Sequence, residues 1–126
     1  MEAKKIIITG GATRIGAAIA RSLAEYATDI TIHYNSSASK AKKIKKELNE
    51  FGIKTHLLKC NLSKEKEVIQ LIRKAKKQMG GLDCLINNAS IFENDDISNF
   101  NSKSWEKHIA VNLKSPSILM LSLIHI

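Results

Sequence analysis

The chain has 126 residues, of which 44% are hydrophobic, 25% charged and 5% aromatic, with one proline and 20 basic against 12 acidic side chains. That composition fits one globular domain and excludes a disordered chain, which is poorer in apolar groups; no run of about 18 apolar residues offers a membrane span, and the first residues do not read as a signal peptide. The formal charge of +8 raises nucleic-acid binding, but its distribution argues against it: between Lys40 and Lys77 stand 13 basic and 4 acidic residues, interleaved with apolar residues at helical spacing, among them Phe51, and with no set of aromatics for base stacking.

In chain order, Lys5 to Thr9 is a short β-branched strand ending in Gly10-Gly11, and Ile15 to Tyr26 repeats apolar residues at helical spacing. Asp29 to Tyr34 reads as a second strand, Ala38 to Phe51 as a helix stopped by Gly52, and Ile53 to Lys59 as a third strand. A third helix is expected from about Lys64 to Met79, with Ser63 as N-cap and Gly80-Gly81 closing it. Cys84 to Asn87 is the fourth strand, Ser90 to Ser102 a polar loop, and a last helix begins near Ser104, where Pro116 is expected to kink or stagger it. Strands alternating with helices imply right-handed crossovers, hence one α/β domain over 1–126: a Rossmann-type doubly wound parallel sheet, ending after the fourth strand and fourth helix.

Cys60 and Cys84 lie far apart without a C-x-x-C, and the four histidines form no metal-binding cluster. They read as two buried thiols of a reducing cytoplasm, with no metal.

The segment with the most chemistry is Thr9-Gly10-Gly11-Ala12-Thr13-Arg14-Ile15-Gly16, where the first strand hands over to the first helix. Glycines allow close backbone approach, and a helix N-terminus offers unpaired N–H groups to a phosphate. A nucleotide P-loop fails here because Ala17-Ala18 stand where lysine and a hydroxyl are needed. The ends of the other strands, His33-Tyr34-Asn35-Ser36-Ser37, Cys60-Asn61-Leu62-Ser63 and Asn87-Asn88-Ala89-Ser90, fall on the same rim.

Together these segments resemble the short-chain dehydrogenase/reductase family, in family order from Lys4 to about Leu119. Its Thr-Gly-x-x-x-Gly-x-Gly loop corresponds to Thr9–Gly16, with Arg14 at the middle glycine, and its Asn-Asn-Ala-Gly to Asn87–Ser90, with Ser90 at the glycine. Both departures, and His33-Tyr34 with Ser37-Ala38, are similar to the pteridine reductase branch. The resemblance implies cofactor contacts from Gly10, Arg14, Ile15, Gly16, Tyr34, Asn35, Ser36, Ser37, Asn61, Leu62, Asn88, Ala89 and Ser90. It also implies a flat pterin-like substrate met by Arg14, Ser90 and Phe92, and a role for Asn112 in a locally distorted helix whose backbone carbonyl feeds water to a proton relay. No acid follows the second strand to repel a 2′-phosphate, so NADP is favoured, although the branch's arginine is replaced by Ser36. Asn61 stands where the family has an adenine-binding aspartate, and its amide oxygen can still accept from the adenine amino group.

The family's Tyr-x-x-x-Lys proton donor has no counterpart: Ile30 and Ala38 lie four residues beyond Tyr26 and Tyr34. The expected reading is therefore the first half of an NADP-dependent reductase acting on a small molecule, with a 3-oxoacyl or other carbonyl substrate, or a non-catalytic dinucleotide-binding fragment, as alternatives. The 126-residue chain alone is expected to leave its fourth strand and last helix uncovered and to turn over no NADPH. The full-length parent is expected to be a homo-oligomer that binds neither nucleic acid nor membrane.

Overall fold

The computed structural model describes residues 4–94 and 96–126. The strands β1 (Lys4–Ile8), β2 (Ala27–Tyr34), β3 (Lys54–Lys59) and β4 (Cys84–Ile86) form one all-parallel sheet in the order β3-β2-β1-β4. Each strand is followed by helical structure: α1 (Arg14–Leu23), α2 (Ala38–Glu50) and α3 (Glu65–Met79), then α4 (Ser102–Ile109) and α5 (Ser115–Ile124) after β4.

The two-residue period of the strands sorts the core into two layers. Ile6 and Ile8 of β1, with Ile30 and Ile32 of β2, pack under Ala17 and Ala20 of α1 and Ala41, Ile44 and Leu48 of α2. Ile7 points the other way, into Val68, Leu71, Ile72 and Ala75 of α3 and Leu119 of α5. Ile7, Ile8, Ile30 and Ile32 are fully buried, each worth about 1.5–3 kcal/mol relative to exposure. Gly80 ends α3 in the left-handed conformation, φ 71°, as a C-terminal glycine should. No helix among the described residues is long and apolar enough to cross a membrane.

The structure departs from the expected elements where side chains compete for backbone groups. α1 tightens after Leu23 into a 3₁₀ turn (Ala24–Tyr26), and β2 starts two residues early, at Ala27. Ser63 does not cap α3: its N–H and hydroxyl both donate to Asn61 Oδ1, at 3.0 and 2.7 Å, so Lys64 takes the cap position without a side-chain bond. Asn101 caps α4 instead, its Oδ1 accepting from Ser104 N–H at 2.8 Å, which starts that helix at Ser102. The last helix is not one helix. A π-helical turn (Ala110–Lys114) separates α4 from α5, and Pro116 sits in the first turn of α5.

Candidate active site

The sheet order reverses between β1 and β4, because β1 leads through α1 to β2 on one side while β4 lies on the other. A doubly wound sheet opens its crevice at such a point, beyond the carboxyl ends of the strands. Thr9 joins the two strand ends. It is 1% exposed, and its hydroxyl oxygen accepts from the N–H groups of Asn88 and Ala89, both at 3.0 Å. Asn88 Nδ2 donates in return to the carbonyls of Thr9 and Gly10, each at 3.1 Å.

Gly16 lies against this clasp. A Cβ there would overlap the Gly10 carbonyl oxygen and come within 2.6 Å of Asn88 Nδ2, so only glycine lets α1 start this close to the β1 turn. Arg14 is the single non-glycine residue with positive φ among the described residues, at 50°. The left-handed conformation costs an L-residue about 1–2 kcal/mol, which explains physically why the resembling family has glycine at this place. Thr13 makes no side-chain cap and the first turn of α1 carries no acid. The first N–H groups of that helix therefore lack a partner within it and face a cleft.

That cleft measures about 640 Å³. Gly10, Arg14 and Ile15 line it from the first turn; Tyr34, Asn35, Ser36 and Ser37 from the end of β2; Asn61 and Leu62 from β3; Asn88, Ala89 and Ser90 from β4. These are the residues singled out from sequence, brought to one rim, with Gly16 packed beneath. Among the described residues no acidic side chain lines the cleft, whereas Arg14, Lys40 and Lys107 do, the last paired with Glu93 at 3.5 Å. Ser37, the residue before α2, makes no side-chain cap, so its hydroxyl is free for a ligand.

Three expected site residues sit differently. Both lone pairs of Asn61 Oδ1 are taken by Ser63, so the amide oxygen is not free to accept from adenine and only the NH₂ remains to be offered. Phe92 is 83% exposed and lies outside the cleft lining. Asn112 stands in the π turn, where its carboxamide makes a two-way bridge to the Ile91 backbone: Ile91 N–H to Oδ1 and Nδ2 to the Ile91 carbonyl, both 2.9 Å. One turn earlier, His108 Nε2 accepts from Glu93 N–H at 3.1 Å. The side chains of α4 and the π turn thus hold the loop that carries Ser90 and Phe92. The helix distortion expected at Asn112 is present. Pro116 has no N–H, so the regular helical bond to the Asn112 carbonyl cannot form.

Sequence reasoning missed Lys40, which stands in a segment that read as a solvated helix face, and did not single out Lys107 of the last helix; their signal is position, the first turn of α2 and the helix beside Ser90. Burial pushes the Cys60 thiol up to about 11 and raises that of half-buried Cys84 as well, which disfavours the nucleophilic thiolate at both. Among the described residues no group of three or more histidine, cysteine, aspartate or glutamate side chains is placed to hold a metal ion.

The sequence profile described as short chain dehydrogenase matches residues 4–125. Similar curated proteins include the 3-oxoacyl-[acyl-carrier-protein] reductase FabG of Staphylococcus epidermidis, 31% identical over 111 residues, which cover 88% of this chain and 46% of that protein. The NADP-dependent mannitol dehydrogenase of Alternaria alternata is 34% identical over 116 residues, 90% of this chain and 44% of that protein. Among solved structures, FolM alternative dihydrofolate reductase 1 from Brucella canis, complexed with NADP, superposes with a TM-score of 0.87 at 33% identity, covering 94% of this chain and 48% of that one. A short chain dehydrogenase from Burkholderia cenocepacia J2315 in complex with NADP gives a TM-score of 0.94 at 26% identity, covering 98% and 51%. The chain spans about half the length of these relatives.

Proposed function

The chain belongs to the short-chain dehydrogenase/reductase family, and from that premise we propose that it forms the adenosine-binding half of an NADPH-dependent reductase with a pterin-like substrate. The observation that carries this reading is the charge of the cleft: Arg14 and Lys40, with Lys107 paired to Glu93, and no acid among its described lining residues, around helix N–H groups without partners in the helix. The first turn of α1 offers its N–H groups to the pyrophosphate. Arg14 adds a planar guanidinium fork suited to phosphate. Ser36, Ser37 and Lys40 surround the position of a 2′-phosphate, with Lys40 supplying the charge that an arginine at Ser36 would have supplied. Asn61 presents its NH₂ group to the adenine ring, and Tyr34, Leu62 and Ala89 give the ring and ribose apolar walls. When bound, NADPH supplies the hydride.

On the substrate side, Arg14 and Ser90 reach the mouth of the cleft, and Phe92 presents an aromatic face on the loop held by Asn112 and His108. An aromatic face suits a flat heterocycle, and the similarity to FolM favours a pterin-like compound. The similarity to FabG favours a second reading, a 3-oxoacyl thioester. Steady-state assays of the complete gene product with dihydropterin, quinonoid pterin and 3-oxoacyl substrates, each with NADPH and NADH, decide between them. Turnover of the thioester alone would overturn the pterin reading.

Two substitutions test the cofactor site. Lys40→Ala is expected to raise the NADPH dissociation constant about tenfold, roughly 1.4 kcal/mol, and to change NADH binding by less than about twofold. An equal loss for both cofactors would remove Lys40 from the 2′-phosphate. Arg14→Gly relieves the left-handed strain, so thermal denaturation is expected to show stability unchanged or raised by up to ~1 kcal/mol. NADPH binding should weaken in the same variant. A fall in stability would show that Arg14 holds the loop rather than the ligand.

A further inference from the structure

His33 lies near the carboxyl end of β2, 2% exposed, at the base of the cleft. Its ring is bonded at both nitrogens to backbone. Nδ1 accepts from the Gly10 N–H at 2.9 Å, and Nε2 lies 2.8 Å from the Cys60 carbonyl oxygen. An amide N–H can only donate and a carbonyl can only accept, so the arrangement fixes one tautomer, with the proton on Nε2. Main-chain bonds flank the ring: Gly11 N–H to the His33 carbonyl at 3.1 Å and Cys60 N–H to the Tyr34 carbonyl at 3.0 Å. One neutral imidazole therefore ties together the ends of β1, β2 and β3, and it does so at the first glycine of the phosphate-facing turn.

We propose that His33 is a positioning residue of the cofactor cleft: as the neutral Nε2–H imidazole it holds the Gly10 amide in the binding geometry, and its protonation loosens that turn and weakens cofactor binding. This inference rests on the dinucleotide reading of the site. Protonating Nδ1 would place an N–H against the Gly10 N–H, two donors with no acceptor between them. The groups around the ring do not favour the cation. Arg14 at the start of α1, Lys40 of α2 and Lys107 of α4 line the same cleft. The Cys60 thiol stays neutral, with Glu67 and Lys74 of α3 as the charges nearest to it in effect, and Glu67 is turned to the Asn61 N–H at 3.1 Å. Burial accordingly lowers the proton affinity of His33 below its ordinary value of 6.5.

The sign follows. The folded state binds the proton less readily than the unfolded one, so this stabilisation is complete above about pH 6.5 and is lost as pH falls below it, through the depressed folded value. Cofactor affinity falls in the same window. By reciprocity, NADPH must lower the proton affinity of His33 further.

The test is an NADPH titration of the complete gene product from pH 5 to pH 8, for the wild type and for His33→Gln. Glutamine keeps an acceptor and a donor about as far apart as the two ring nitrogens and does not titrate. Taking the ratio of the two dissociation constants cancels the ionisation of the cofactor's own phosphate. The expected result is a wild-type to H33Q ratio that rises several-fold between pH 7 and pH 5, with H33Q close to the wild type at pH 8. His33→Phe should bind at least about tenfold more weakly at pH 8. Should that variant fail to fold, the ring resonances of wild-type His33 give the second measurement: Nδ1 unprotonated at pH 7, and a titration midpoint that moves lower when NADPH is added. A flat ratio or an unmoved midpoint overturns this inference and leaves the cofactor reading standing. No NADPH binding at any pH overturns both.

Discussion

Replacing Gly16 with alanine is expected to lower the stability of the complete gene product by ~3 kcal/mol or more and to abolish dinucleotide binding. The new methyl group would overlap the Gly10 carbonyl oxygen and stand 2.8 Å from the Gly10 carbonyl carbon and 2.6 Å from Asn88 Nδ2. None of these atoms is the free end of a flexible side chain. The Gly10 oxygen accepts from Asn88 Nδ2, and the Asn88 N–H is itself held by Thr9, so relief at one contact breaks another. The effect should appear together in the denaturation midpoint and in NADPH titration. A G16A protein within about 0.5 kcal/mol of the parent, the range of ordinary surface substitutions, would mean that α1 can pivot away from the β1 turn.

Thr9→Val ranks next, and it isolates the clasp itself because the two side chains have nearly the same shape. Valine keeps the volume but removes the oxygen that accepts from two N–H groups, those of Asn88 and Ala89. Each orphaned buried donor costs about 1–3 kcal/mol, so a loss of ~2–5 kcal/mol is expected in urea denaturation. Amide exchange at Asn88 and Ala89 should accelerate more than at Ile30 or Ile32 in the sheet centre. Thr9→Ser keeps the hydroxyl and should retain most of the stability. If serine and valine were equally damaging, the methyl group and not the hydroxyl would be the part that matters.

Much of the fold was legible because the apolar period switches cleanly between two and 3.6. Ile6, Ile7 and Ile8 could only be a buried parallel strand, and Ala41, Ile44 and Leu48 could only be one face of a helix. Glycines at turn positions then placed the rim, and Gly10, Asn88 and Ser90 lie in one cleft as their motifs implied. What stayed hidden depends on competition among polar groups, which periodicity does not register. Ser63 looks like a cap until Asn61 is seen to bind it, and that same pairing removes the oxygen expected to meet adenine. His33 is one more histidine in a strand until its two nitrogens are matched to a donor just past β1 and an acceptor just past β3. Lys40 is one lysine among many on α2, distinguished only by standing in the first turn.

The π turn has a consequence for the phase of the last helix. In an α-helix a step of four residues overshoots a full revolution by about 40°, so residues spaced by four drift steadily round the axis, by about 80° after two steps. Val111, Ser115 and Leu119 are spaced in this way, and all three are buried. The π turn takes more than four residues per revolution, so the step from Val111 to Ser115 falls short of a full turn, and the step from Ser115 to Leu119 then makes up the difference. The two errors cancel, so Val111, Ser115 and Leu119 fall closer to one line along the axis than Leu71, Ala75 and Met79, which the uniform helix α3 buries at the same spacing across a wider stripe. The irregularity at Asn112 thus acts as a vernier, resetting the angular register of everything that follows it.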